Sequence, residues 1–419
     1  MVTTGHAGFS ETGTTWIGHR RGTGGYTLIQ LAMFIAGVAT FAQLYAPQAV
    51  LPQIAEGFGV STAESALMIS AGTLGLALAV VPWSLVADRI GRKRAMSIAI
   101  VAATLLAFVT LGMPNFEFAI IVRFFEGCAL GGVPAVAMAY LNEEVHKKDA
   151  AAAVGTFIAG NTIGGLSGRI ISGPLAEATG SWQFGVLAVA ILSAIASVLF
   201  ILLAPRPSGF QPLNQISIGE SIAATLRNAW RHLHDPVLVS LYVQPFLLMG
   251  GFVAIYNYLG FHLSAPPFLL PVWVSSMVFL AYLAGSVSSP FAGRIAGRHG
   301  RKLVMIVCDL VAIASLLLML IPNLWAIIVG LVLMTAAFFG SHSTASGWAG
   351  AWPTEGRAQS TALYNLLYYV GSSVFGYVGG VFYQQWGWDA LVYLVAGLFG
   401  SGMLVGIIVL PRKPRAARS

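Results

Sequence analysis

Charge is what this sequence has least of. Only 9% of its 419 residues are Asp, Glu, Lys or Arg, while 57% are hydrophobic and mean hydropathy is +0.79. Soluble domains carry about 25% charged residues. A water-soluble chain this poor in charge could not cover its surface, so lipid must cover much of it. Cysteine is almost absent: Cys128 and Cys308 each lie inside an apolar run. That excludes a disulfide framework and a cysteine metal site. A leading apolar segment is missing too. Residues 1–25 are polar and rich in Gly and Thr, which reads as a disordered cytoplasmic tail and not a cleaved signal.

What remains is a series of long apolar runs with short polar breaks. They fall near Tyr26–Val50, Ala63–Val86, Ala95–Gly112, Phe116–Leu141, Ala150–Ser172 and Trp182–Leu203, then near Val237–Leu263, Pro271–Phe291, Leu303–Ile321, Leu324–Trp348, Gln359–Tyr383 and Ala390–Leu410. Each is about the length that crosses a bilayer as a helix. Their continuous character excludes barrel strands, which alternate. The expected fold is an all-α membrane protein of twelve transmembrane helices. It comprises an N-terminal half (26–204), a linker (205–236), a C-terminal half (237–410) and a basic cytoplasmic tail (411–419).

Of the 22 Lys and Arg residues, all but Arg123 and Arg169 fall on one side if the spans alternate. Arg89, Arg92, Lys93 and Arg94 follow span two. Arg294, Arg298, Arg301 and Lys302 follow span eight. The opposite loops hold Glu56, Glu117 and Glu177 but no Lys or Arg. This positive-inside bias places both termini in the cytoplasm. It also accounts for the formal charge of +7 without nucleic acid. Residues 217–234 in the linker form an amphipathic stretch, either lying on the membrane surface or solvated.

The halves repeat each other. Ala87-Asp88-Arg89-Ile90-Gly91-Arg92-Lys93 recurs as Ala296-Gly297-Arg298-His299-Gly300-Arg301-Lys302, displaced by 209 positions (Arg89 to Arg298). Pro114-Asn115 recurs as Pro322-Asn323, and Gly173 and Trp182 recur as Gly379 and Trp388. Three matches in the same order at nearly constant displacement mean a duplication. The two six-helix halves are therefore pseudo-symmetric, and a duplicated membrane domain usually places its substrate between the repeats, near the midplane.

On these residues the chain resembles the major facilitator superfamily from about Tyr26 onward. The loop signature Gly-x-x-x-Asp-Arg-x-Gly-Arg-Lys appears as Ser84, Asp88, Arg89, Gly91, Arg92 and Lys93. Arg123, Glu126 and Gly127 are similar to its Arg-x-x-Gln-Gly element, and Tyr45–Pro52 looks like the drug:proton antiporter branch. Within that branch the chain looks most like the arabinose-efflux-permease-like exporters of the bacterial inner membrane. One element departs. The branch's Gly-x-x-x-Gly-Pro-x-x-Gly-Gly has Gly165 in place of Pro and Arg169 in place of the last Gly.

The resemblance implies a cytoplasmic latch between the halves, carried by Asp88, Arg89, Gly91 and Arg92 and completed by Glu143 or Glu144. Arg123 and Glu126 share a face of span four, roughly 12 and 16 Å into the membrane. Charges at that depth are usually functional, so Glu126 is the first candidate for a coupling proton, with Arg123 as its partner. Arg169 either snorkels outward or adds a second cation facing the cavity. Asp309, roughly 10 Å into span nine, reads first as an interhelical partner and then as a proton carrier. His342 in span ten suits proton coupling by its titration range. Gln43, Tyr45, Tyr242, Gln244, Tyr256, Asn257, Tyr364, Asn365 and Tyr368 supply polar and aromatic groups on spans one, seven and eleven for a solute. Arg123, Arg169 and His342 belong to that substrate set as well.

The sequence thus reads as a monomeric inner-membrane transporter exporting a small organic solute by alternating access with proton antiport. A uniporter or importer of an organic anion, or a membrane sensor that keeps the fold without transporting, stays open. No cofactor or metal is called for. No nucleophile–base pair or Gly-rich phosphate loop suggests an enzyme. The expected partners are a solute, protons and lipid, not nucleic acid. The topology has a direct test: cysteines placed at Ser264 and Ser419 should label from opposite faces of the membrane. Labelling from one face would contradict the span count.

Overall fold

The computed structural model describes residues 16–210 and 218–411. Among these residues no strand forms. One isolated bridge pairs His19 with Val145, and helices carry nearly everything else. A bilayer offers the backbone no water, so each span must close its own hydrogen bonds.

Span one is Gly24–Tyr45, continued by a 3₁₀ turn at Ala46–Val50 and a helix at Leu51–Phe58. Spans two to six are Leu67–Ile90, Arg92–Leu111, Phe116–Leu130 continued by Gly132–Glu144, Ala150–Thr179 and Trp182–Leu203. Ile218–Leu233 forms a linker helix. Spans seven to ten are Pro236–Ser264, Val272–His299, Arg301–Leu318 and Leu324–Ala351. Arg357–Val409 is interrupted at Gly387 (φ 80°, ψ −169°), which divides it into spans eleven and twelve. Twelve spans result, as the hydropathy pattern required.

The repeated motifs turn out to be helix punctuation. Asn115 and Asn323 are both N-caps, each accepting backbone N–H groups of the helix it opens. Gly91 (φ 95°) and Gly300 (φ 94°) adopt the same left-handed turn before spans three and nine, a conformation that side chains disfavour. The sharp reversal between antiparallel spans therefore explains why glycine stands there in both copies.

Contacts divide the chain into two compact units. Unit 1 comprises residues 16–46, Gly75–Ser172 and residues 183–210; unit 2 comprises Pro47–Leu74, Gly173–Trp182 and residues 218–411. The units therefore differ from the sequence halves: two pieces of the first half pack with the second.

In unit 1 the core gathers Ile29, Met33, Met96, Ile100, Val133, Tyr140, Phe157 and Phe200. Span five lies on span one through its glycines. Added Cβ atoms at Gly160, Gly164 and Gly168 would fall 2.4, 2.5 and 2.3 Å from the carbonyl oxygens of Phe34, Val38 and Ala42. The four-residue glycine period thus matches a four-residue period of close backbone approach. Trp16–Arg21, within the stretch expected as a tail, runs beside the loop after span four. His19 N donates to Glu144 O (2.8 Å), and His146 N donates to His19 O (3.0 Å). The expected disorder of residues 1–15 and the basic tail beyond Pro411 lie outside the described residues.

In unit 2 one core cluster joins Leu238, Leu241, Met305, Trp348, Tyr364 and Leu410. Phe252 stacks on Phe338 (4.1 Å), and Tyr256 stacks on Phe279 (5.4 Å). Span eleven meets span seven as span five meets span one: a Cβ on Gly371 would lie 2.1 Å from Phe246 O. The duplication therefore extends to packing.

Because the obstructing atoms at Gly164 are backbone, an alanine there must push two helices apart. G164A should cost about 1–3 kcal/mol, the usual range for overpacking. G155A, on the same span with nothing within 4 Å of the added carbon, should leave thermal stability unchanged. Unfolding temperatures of the purified variants check this.

Candidate functional site

Four groups of polar side chains lie within the two units. The first is the buried pair of unit 1. Arg123 and Glu126 are 2% and 1% exposed, and Arg123 Nη1 lies 2.8 Å from Glu126 Oε1. Thr110 Oγ1 donates to the other carboxylate oxygen at 3.4 Å. Arg123 also donates to the carbonyls of Gln43 (3.4 Å) and Leu44 (2.8 Å) at the end of span one. Pro47 has no N–H to return to Gln43 O, so the guanidinium serves a carbonyl that the helix leaves without its usual partner.

Arg169 is 1% exposed, so it does not snorkel. It curls back to donate to Gly165 O (2.7 Å) and stacks over the Tyr45 ring at 4.1 Å. Both buried arginines thus converge on the last turn of span one. Gln43, expected to face solute, donates to Ala39 O and Thr104 Oγ1 and is 3% exposed.

The second group lies at the junction of spans two and three and the end of span four. Arg92 pairs with Asp88 and with Glu143 (2.9 Å), and its guanidinium lies 5.5 Å from the Phe210 ring. Glu144 is buried and accepts the backbone N–H groups of Ser208 and Gly209. Trp16 Nε1 donates to Glu143 O. Every one of these partners belongs to unit 1, so the network braces that unit. Asp88, Arg92, Glu143 and Glu144, all expected in the latch, thus lie within one unit. Arg89 is exposed and, among the described residues, pairs with none.

The third group lies inside unit 2. Gln244, Pro245, Leu248, Phe338, Ser341, His342, Ala345 and Tyr364 line a small pocket. The half-buried His342 ring stacks on Phe338 and packs against Tyr368 (4.9 Å), and Nδ1 lies 3.0 Å from Tyr364 Oη. Gln244 Nε2 donates to Gly402 O at 2.6 Å, while its Oε1 has no partner. Tyr242 and Tyr256 bond the hydroxyls of Ser360 and Thr335. These two tyrosines therefore hold helices together instead of presenting free hydroxyls. Asn365 is exposed, away from this cluster's buried residues.

The fourth group was not legible in the sequence. Ser70 Oγ donates to Ser373 O and Ser373 Oγ to Ser70 O, both at 3.0 Å, with Thr73 Oγ1 2.9 Å from Ser373 Oγ. Gln48 Nε2 donates to Asn257 Oδ1 (2.6 Å), and Trp273 N donates to Glu177 Oε2 (2.7 Å). This polar seam joins the ends of spans one, two and five to the second half of the chain, and it explains why unit 2 takes them in. Isolated hydroxyls in apolar helices usually bond their own backbone, so composition gives no sign of it.

Among the described residues, twelve helical spans and their buried charges define a polytopic membrane protein. The major facilitator superfamily profile matches residues 33–280 and 269–419. The uncharacterized MFS-type transporter YybF of Bacillus subtilis (strain 168) is 35% identical over 399 residues, 94% of this chain and 97% of its own. The inner membrane transport protein YnfM of Escherichia coli (strain K12) is 36% identical over 387 residues, 92% and 91% of the two chains. The chain belongs to the major facilitator superfamily. Among solved structures, the nucleoside transporter NupG superposes with a TM-score of 0.73 over 91% of this chain and all of its own, at 15% identity. A bacterial homolog of the human lysosomal transporter Spinster, inward-facing and occupied, gives 0.71 over 93% and 95%, at 14% identity. At such identities these two speak for the fold alone.

The bracing network predicts an ordering of variants. Arg92→Ala leaves two partly buried carboxylates facing each other and should cost about 1–3 kcal/mol. Arg89→Ala, at an exposed site, should stay within about 0.5 kcal/mol. Thermal unfolding of both proteins checks the ordering.

Proposed function

We propose that this protein is a secondary active transporter of the bacterial inner membrane that exports a small organic solute by alternating access, coupled to protons. The observation that carries the reading is the Arg123–Glu126 pair, almost wholly buried deep in span four. A membrane protein retains such charges at substantial cost. A pair whose acid can be neutralised, releasing its base, offers two states of different charge. Protonation of Glu126 would weaken its hold on Arg123, which keeps its two carbonyl acceptors on span one. The span-one motif Tyr45–Pro52 supports export through its likeness to the antiporter branch. The Ser70–Ser373 seam supplies contacts weak enough to break and reform as one face opens: each is a neutral hydrogen bond, worth about 0.5–1.5 kcal/mol net.

A second reading, transport of an organic anion without protons, is favoured by one observation. Arg169 is as buried as Arg123, so unit 1 holds two guanidinium groups in its interior.

The test starts from a ligand found by thermal-shift screening, since binding to the native state raises stability. Flux of that ligand into proteoliposomes is then measured with and without a pH gradient. Wild type should respond to the gradient, and Glu126→Gln should lose the response while retaining substrate exchange. Arg123→Ala should be harsher on folding, because orphaning a buried charge costs about 3–5 kcal/mol. A glutamine variant with unaltered pH response would remove Glu126 from the coupling.

A further inference from the structure

The interior of unit 2 contains an acid in an environment unlike that of Glu126. Asp309 lies in the middle of span nine and is 1% exposed. Among the described residues it has no ion-pair partner within 4.0 Å. The one hydrogen-bonding group beside its carboxyl is the hydroxyl of Ser341.

The surroundings are neutral on every side. On span nine itself the neighbour is Cys308. Span ten carries no Lys, Arg, Asp or Glu and presents Ser341 with His342 next to it. Span eleven presents Tyr364, whose hydroxyl lies 3.0 Å from His342 Nδ1. Arg294 and Arg298 of span eight and Asp389 of span twelve are exposed. Lys302 is turned to the carbonyls of Ile407 and Leu410.

A carboxylate buried without a counter-ion, with a single hydroxyl beside it, is costly to keep charged. A proton placed on Asp309 can be donated to Ser341 Oγ. Ser341 also lines the pocket shared with Gln244, His342 and Tyr364. The residue beside the acid is therefore also part of the cavity wall.

We infer that Asp309 is a second proton-binding site of this protein, loaded and unloaded through Ser341 from the Gln244–His342–Tyr364 pocket. This deepens the proton-coupled reading by giving unit 2 its own titrating acid. It assigns the two membrane acids opposite resting states: Glu126 ionised against Arg123, and Asp309 neutral beside hydroxyls. The step is a proton transfer only. The carboxyl O–H breaks as the proton passes by way of the Ser341 hydroxyl to His342, and the carboxylate forms as Asp309 unloads.

Infrared spectroscopy of the purified full chain in membranes reads this without a substrate. At neutral pH the wild type should show a protonated-carboxyl C=O absorption. It should disappear in Asp309→Asn, shift in Asp309→Glu, and move in frequency in Ser341→Ala as a hydrogen bond is lost. Glu126→Gln should retain it. A band that survives in Asp309→Asn, or a wild type with no such band, would overturn the inference. Should Asp309→Asn fail to fold, the shift in Asp309→Glu decides alone: an unmoved band refutes. Because the readout needs no flux, its failure is separable from failure of the transport reading.

Discussion

Every backbone N–H and C=O in the described spans must find its partner inside the protein, because hydrocarbon supplies none. That constraint organises the chain from its ends inward. Asparagine caps open spans four and ten, left-handed glycines turn the chain before spans three and nine, and an arginine serves the carbonyl that Pro47 leaves open in span one. It also sets the packing. Without a hydrophobic force between helices in lipid, close approach of backbones does the holding. Span five rests on span one, and span eleven on span seven, at positions where no side chain fits.

The same constraint sorts the buried charges. Arg123 is compensated by a carboxylate and two carbonyls, and Arg169 by a carbonyl and an aromatic face. Glu126 has a cation beside it and Asp309 has none. The two acids thus share a chemistry and differ in their surroundings.

Much of this was legible in the sequence, and for a physical reason. Span number follows from composition, since the long apolar runs are separated by short polar breaks. The duplication was visible because backbone geometry demands the same residue twice, as at Gly91 and Gly300. The small face of span five was visible because close approach demands glycine. What could not be read depends on partners distant in sequence. Arg169 in isolation permits outward snorkelling; only the Tyr45 ring beside it shows otherwise. Asp88, Arg92 and Glu143 lie apart in sequence, and their pairing shows only once spans two, three and four are seen together. Ser70 and Ser373 are ordinary hydroxyls until they face each other. The pocket tyrosines looked like solute ligands, yet Tyr242 and Tyr256 spend their hydroxyls on Ser360 and Thr335.

Coupling of solute movement to proton movement is the account's central claim. It is tested most directly in proteoliposomes that enclose the pH dye pyranine and hold an imposed pH gradient. Adding a ligand selected by thermal shift should collapse the gradient in wild-type vesicles and leave it intact in vesicles without protein. A gradient that persists while the ligand crosses the membrane would contradict proton coupling.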